Sequence, residues 1–297
     1  MIETQLKLFK MDTNQLKDAQ QKKALNKWAT NGFIGSIIAG TGFGKSRCGV
    51  IAVGESMRRN IDNNWNALVL VPTIQLKDQF REEFIKWGYD DIVDSVIFAC
   101  YQTAYKCEDH HYNIVICDEI HLGLSPEYRK FFENNTYDRL LCMTATLPEE
   151  HEYKELLLQM APCVYEITLD QCVELGLVSP YDIVCRPLEL TYDERTQYKK
   201  INNRFVYWKS QLGGFDAWEN ASYIIKNISA LPQEKKAATQ FYRAIRERKK
   251  IIDFAENKVE AFKDIVLNNP DKRILAFGGA NEFTDILADS VIPLARA

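Results

Sequence analysis

Apolar residues in this chain gather into short unbroken runs, separated by stretches of helical periodicity. The runs lie in GSIIA (35–39), NALVLVPT (66–73), DSVIFAC (94–100), NIVICDE (113–119) and LLCMTAT (140–146). Three to five apolar residues in a row, without polar alternation, suit strands covered on both faces. Between the runs the period changes. Leu16, Ala24, Leu25 and Trp28 recur at near-helical spacing within residues 14–30, and Leu76, Phe80, Phe84 and Trp87 do so after the second run. Strands apolar on both faces and separated by helix-length segments predict an α/β fold, a parallel sheet covered by helices. Ligands of such sheets gather at the carboxyl ends of the strands. The polar residues Lys45, Thr73, Asp118, Glu119, Thr144 and Thr146 follow the runs in just those positions.

The second half is patterned differently. Residues 149–179 read as a linker, and the alternation in SPYDIVCRPLELT (179–191) predicts the first strand of a second domain. Residues 192–266 read as a long helical region with Tyr, Trp and Phe among Lys and Arg, and KRILAF (272–277) as a further strand. A domain over 1–170 and a second over 171–297 are expected.

Composition adds limits. With 297 residues and 46% hydrophobic content, one large or two medium domains can build real cores. A net charge of −4 gives no bulk attraction to nucleic acid. Residues 226–250 depart from it, with eight basic and two acidic side chains, a local +6. That window reads either as a solvated helix face or as a phosphate-backbone contact surface. The eight cysteines are scattered, several inside apolar runs, and form no CxxC pair; buried reduced thiols are expected. Cys107, His110 and His111 are a metal-ligand group without a second pair at ligand spacing. MIETQLKLFK (1–10) lacks a leader-type apolar core and no run is long enough to span a membrane, so a cytoplasmic protein without membrane contact is expected.

The chemistry concentrates in GSIIAGTGFGKS (35–46). Gly40, Gly42 and Gly44 allow a tight turn that aims backbone N–H groups inward, and a helix starting after Ser46 adds its positive end. Lys45 would then reach the β- and γ-phosphates of a nucleotide and Ser46 would ligate Mg²⁺. The first glycine of the general GxxxxGK[ST] pattern is replaced by Ala39. Upstream, Gln20 and Gln21 are either solvated or include a reader of the adenine. At the end of the fourth run, 73 residues after Lys45, stand Asp118 and Glu119. One carboxylate there holds Mg²⁺ and a second orients and deprotonates an attacking water; Asp118 takes the first role and Glu119 the second.

AGTGFGKS, DEIH and TAT resemble motifs I, II and III of the superfamily 2 helicases, the DExH-type motors built on two RecA-like domains. VPTIQLKDQF (71–80) resembles motif Ia. CYQTA (100–104) and LKDAQ (16–20) resemble segments of the branch holding phage recombination helicases and restriction-enzyme motor subunits. In that family Ala at the first loop position is usual. The resemblance implies that Gln20 reads the adenine, and that Gly40, Thr41, Gly42, Phe43, Gly44, Lys45, Ser46 and Arg47 hold ATP. It implies that His121, Thr144 and Thr146 couple the site to domain closure, and that Pro72, Thr73, Gln102 and Thr103 touch nucleic acid, DNA in preference to RNA. A bacterial cell or phage-infected host is its implied setting. It further implies a partial second RecA-like domain over 171–297 with a helical insertion at about 192–266, where KRILAF is similar to motif IV. No segment matches motifs V or VI, whose arginine fingers complete the ATP site, and Arg296 is not assigned that role; a C-terminally incomplete motor is expected. The implied activity is an ATP-dependent DNA helicase or translocase. The alternative is a truncated module that holds ATP and nucleic acid without unwinding. ABC-type ATPases and small GTPases do not fit, because LSGGQ-like and NKxD segments are missing.

Overall fold

A computed structural model of the chain describes residues 13–60 and 65–295. The N-terminal residues 1–10, read above for a leader, and Arg296 lie outside the described residues. The chain divides into two compact units, one running to Asp182 and one from Ile183 onward.

The first unit alternates helices and strands as its apolar pattern predicts. α1 (Thr13–Thr30) leads to β1 (Ile34–Ala39), α2 (Lys45–Arg58), β2 (Ala67–Val71), α3 (Ile74–Lys86) and β3 (Val96–Cys100). A short α4 (Tyr101–Ala104) follows. β4 (His111–Tyr112) precedes β5 (Ile114–Asp118), and α5 (Lys130–Asn134) and β6 (Thr136–Tyr137) precede β7 (Leu140–Thr144). Six strands form one parallel sheet in the order β3-β2-β5-β7-β1-β8, with β8 at Cys163–Ile167; β4 and β6 pair separately.

Every residue of β2, β5 and β7 is buried, which explains why their sequences do not alternate. Successive side chains leave a strand on opposite faces. Ile114 and Ile116 therefore join Ile37, Val69 and Met143 in one core layer, whereas Val115 and Cys117 join Leu68, Leu70 and Cys142 in the other. Gly49 lets α2 lie close on the sheet, for a Cβ there would stand 3.0 Å from Ile116 and 3.1 Å from Met143. The expected α/β fold is the one found.

Residues 149–179 are not a linker. They hold α6 (His151–Met160), β8 and α7 (Leu169–Glu174). β8 pairs with β1 at the sheet edge and buries only Tyr165 and Ile167. An edge strand covered on one side carries no unbroken apolar run, so the pattern that marked the central strands misses it. A local signal was available: Thr168 and Gln171 form a capping box at the start of α7. Cys172 and Leu177 are buried in the same core, which carries the first unit beyond residue 170.

The second unit contains α8 (Tyr192–Gln211), α9 (Ala217–Lys226), α10 (Pro232–Asp253), α11 (Glu256–Leu267) and α12 (Asn281–Ala295). A capping box of Thr191 and Glu194 starts α8. Its core is small, built on Leu212, Ala217, Ala221, Ala238 and Phe241, with Phe205 stacked on Phe241 at 5.5 Å between ring centroids. The two strands expected here, at 179–191 and 272–277, are irregular instead, and Ile183, Val184, Leu275 and Phe277 are exposed. A strand lasts only where a neighbour takes up its backbone hydrogen bonds. Among the described residues of this unit no strand supplies one.

Candidate functional site

β1 ends at Ala39, and the chain turns through Gly42 and Gly44 at φ 84° and 90°, in the left-handed region that glycine adopts without strain. Lys45 opens α2, so the backbone N–H groups of the first turn face the loop. The Lys45 side chain is buried and its Nζ donates to Ala39 O at 2.8 Å. Thr41 is exposed at the turn, while Phe43 is buried against the ring of Tyr165 on β8, 5.7 Å away between centroids. Gly40 runs against the start of α7: a Cβ on it would lie 3.0 Å from the Leu169 Cα. The segment expected to be a linker thus supports the loop.

α1 closes the loop from the other side through Gln21, not Gln20. Gln21 Nε2 donates to Phe43 O at 2.8 Å, and its Oε1 accepts from Arg47 Nη1 at 2.9 Å. Arg47 also pairs with Asp18 and lies 3.9 Å over the ring of Trp87. Gln20 turns away, its Oε1 accepting from Tyr165 OH at 2.8 Å.

β5, two strands from β1, delivers the carboxylates. Asp118 is buried and its carboxyl is pushed up to about 6, first by burial and then by the charge of Glu119, with Lys45 opposing. Glu119 sits at φ 47°, a left-handed conformation rare for a side-chain-bearing residue, which marks a backbone held by its surroundings. One hold is Tyr101, buried, whose hydroxyl donates to Asp118 O at 2.9 Å. The other is β7: Thr144 Oγ1 lies 3.3 Å from Glu119 Oε2, 3.2 Å from His121 Nδ1 and 3.1 Å from Thr146 O. His121 Nδ1 is in turn 3.5 Å from Glu119 Oε2. Glu119, His121 and Thr144 are therefore one hydrogen-bonded cluster.

Ser46 and Asp118 line the same cavity, of about 810 Å³, over the glycine-rich loop. A hydroxyl and a carboxylate are the oxygen ligands that Mg²⁺ takes beside water and phosphate, so the residues fit that ion. The expected nucleic-acid residues meet at the ends of β2 and β3. Gln102 Nε2 donates to Pro72 O at 3.0 Å, Thr73 caps α3 by accepting from Leu76 N at 3.2 Å, and Thr103 Oγ1 donates to Cys100 O at 2.9 Å. Thr73, Gln102 and Thr103 are exposed.

Other sequence candidates find structural partners. His111 faces Thr136 and Asp138, and no group of three His, Cys, Asp or Glu side chains among the described residues can hold a metal. All eight cysteines are free, and burial pushes the Cys48 thiol up to about 12. In the basic window, Arg243 pairs with Glu247, Lys235 donates to Ile228 O and Arg248 lies 4.2 Å over Phe205. Among the described residues no helix is long and apolar enough to cross a membrane. Asp18, Trp87 and Tyr101 are the residues that sequence reasoning missed, and Gln21 was weighed beside Gln20 but passed over for it. In the sequence Trp87 shows only as part of an apolar helical stripe, and Asp18 lies inside LKDAQ with nothing to single it out.

No curated protein matches the sequence. Among solved structures the chain is similar to the Hef helicase domain of Pyrococcus furiosus, at 11% identity and a TM-score of 0.45, over 94% of this chain and 66% of that one. It is also similar to a nuclease-deletion mutant of the Type ISP restriction-modification enzyme LlaGI bound to a DNA substrate mimic. There the identity is 14% and the TM-score 0.38, over 94% of this chain and 29% of that one. The SWI2/SNF2 ATPase core of Sulfolobus solfataricus with dsDNA matches at 14% identity and a TM-score of 0.38, over 93% and 64% of the two chains. This chain therefore spans less than two thirds of each of these, and likeness at such scores carries no functional argument. The family described as "Type III restriction enzyme, res subunit" matches residues 14–149, a stretch that holds most of α1, the glycine-rich loop, both carboxylates and Thr144. Over that stretch, less than half of the chain, the sequence is similar to this family.

Proposed function

We propose that this chain binds ATP with Mg²⁺, hydrolyses it, and couples hydrolysis to movement on or remodelling of DNA. One observation carries the reading: Lys45, Asp118 and the Glu119–His121–Thr144 cluster stand at the carboxyl ends of the neighbouring strands β1, β5 and β7, and Asp118 shares one cavity with Ser46 of the glycine-rich loop. Backbone N–H groups of the loop and the Lys45 ammonium hold the phosphates. Bound Mg²⁺ would neutralise charge on the β- and γ-phosphate oxygens, held by Ser46 and Asp118. Glu119 accepts the proton of the attacking water, and Thr144 and His121 keep its carboxylate aimed. Because Thr144 has a single hydroxyl proton, it serves one acceptor at a time, Glu119, the Thr146 carbonyl or an unprotonated His121 Nδ1. That choice gives β7 a means of sensing the state of the site. Thr73, Gln102 and Thr103, exposed at the neighbouring strand ends, supply the contact to a nucleic-acid backbone.

The test is an ATPase assay with and without DNA, alongside ATP titration of the Lys45→Ala variant. DNA-stimulated turnover, and loss of ATP binding in the variant, are expected. ATP affinity that survives the substitution would overturn the phosphate-loop assignment. Binding of ATP and DNA without turnover would instead support a module that holds both without unwinding.

A further inference from the structure

β2 stands between β3 and β5 in the sheet, yet a side chain from the end of β3 reaches past it. Tyr101 opens α4 directly after Cys100, and its hydroxyl donates to Asp118 O at 2.9 Å. The pairing of β5 with β2 ends at Cys117, so this bond takes up a buried carbonyl one residue beyond the ladder. Burial raises the phenol well above its ordinary titration range, and the hydroxyl therefore stays a donor.

That carbonyl belongs to the peptide unit joining Asp118 to Glu119. A peptide is planar, so holding its oxygen fixes the plane from which Glu119 departs. Glu119 departs at φ 47°, and a side-chain-bearing residue keeps that conformation only where its surroundings impose it. The turn that follows, Ile120–Leu122, ends on Gly123, where a Cβ would stand 2.6 Å from Tyr101 Cε1. The ring thus packs on the same turn that its hydroxyl anchors.

α4 is a single turn with two faces. Tyr101 and Ala104 are buried, whereas Gln102 and Thr103, the candidate nucleic-acid contacts, are exposed. In so short an element the faces cannot move independently, and a displacement of Gln102 or Thr103 displaces Tyr101 in a close-packed interior.

We propose that Tyr101 is a positioning residue that relays nucleic-acid contact at Gln102 and Thr103 to the Glu119 base, by holding the Asp118–Glu119 peptide. The proposal rests on the roles given above to Glu119 and to α4. Its consequence is that stimulation of turnover by DNA runs through one buried hydroxyl.

Steady-state ATPase kinetics of the full chain, Tyr101→Phe and Gly123→Ala, with and without a labelled DNA oligonucleotide whose binding is read by anisotropy, test this. Tyr101→Phe keeps the ring and removes the hydroxyl. Its kcat with DNA should fall about tenfold, the worth of one hydrogen bond, with KM for ATP and Kd for DNA within about twofold of the unsubstituted chain. The ratio of turnover with DNA to turnover without it should fall toward one. Gly123→Ala keeps the hydroxyl but pushes the ring aside, and at φ −72° the added methyl strains no backbone, so the same split is expected. Because both changes act on one contact, the double variant should lose no more than the larger single loss. Full DNA-stimulated kcat in Tyr101→Phe would overturn the proposal. So would an equal fall without DNA that leaves the ratio intact, losses that multiply in the double variant, or a weakening of KM and Kd that accounts for the fall, as a merely structural tyrosine would give. If one variant fails to fold, the other decides. Turnover in the unsubstituted chain that DNA does not stimulate sinks the relay and leaves Glu119 as the base; no turnover at all sinks both.

Discussion

The two units bury their apolar residues in opposite ways. In the first, a parallel sheet is covered on both faces, and Ile37, Leu70, Ile114, Ile116, Leu140 and Leu141 are all fully enclosed. In the second, the buried core is mostly alanine around Leu212 and Phe241, while Phe215 and Ile228 stand 99% and 92% exposed. A sheet strand in the middle of two helical layers must be apolar throughout, whereas each helix of the second unit hides only a stripe. The candidate site follows the same division. Lys45, Asp118, Glu119 and Thr144 all belong to the first unit, where a rigid sheet holds strand ends in register. Glu247 of the second unit, by contrast, binds Arg204 and Arg243 at an exposed surface, and such pairs contribute about 0–1 kcal/mol.

The largest effect that would sharpen this contrast lies in the chemistry. Glu119→Gln keeps the shape of the cluster and removes the base, so turnover should fall about 10²- to 10⁴-fold with ATP binding retained. Near-normal turnover in that variant would detach hydrolysis from the sheet. The next effect compares the cores. Ile116→Ala should cost about 2–5 kcal/mol in a denaturant titration, since it opens a cavity against α2. Ile228→Ala, at an exposed position, should stay within about 0.5 kcal/mol. Equal losses would mean that both residues are buried in solution.

A smaller effect concerns Asp118. Its folded-state carboxyl titrates near 6, above the ordinary value of 3.8, so between those values the folded protein binds the extra proton. Stability should therefore fall as pH rises through that window, while affinity for Mg²⁺ improves because the carboxylate ionises. Asp118→Asn removes the desolvated charge. It should flatten the pH profile, stabilise the fold by on the order of 1–3 kcal/mol at pH 7, and abolish Mg²⁺-dependent turnover. Thermal melts at pH 4.5 and 7 check the sign, and an unchanged profile in the variant would reassign the titration to another group.

The site was legible where chemistry and strand order coincide. Lys45 and Ser46 follow an apolar run and three glycines, and Asp118 and Glu119 terminate another, so their places could be read without coordinates. Gln21 was harder, since two adjacent glutamines differ only in which way the helix turns them. On α1 the face that meets the loop carries Gln21, and Gln20 falls toward β8. β8 itself was hidden because an edge strand shows half a pattern. The strands expected near 179–191 and 272–277 show the converse error, in which a strand-like composition stands without a neighbour to pair with.

Local order along the chain was enough to specify the central strands, the glycine-rich turn after β1, and the two carboxylates at the end of β5, because each depends on residues adjacent in sequence and on burial that leaves no polar alternation. Contacts between distant segments decided the rest. Tyr165 supports Phe43, Tyr101 holds the Asp118 carbonyl, and Trp87 meets Arg47, across separations that no periodicity encodes. A parallel sheet brings strand ends together from remote parts of the chain, so which side chains face one cavity is a property of the fold, not of any one segment.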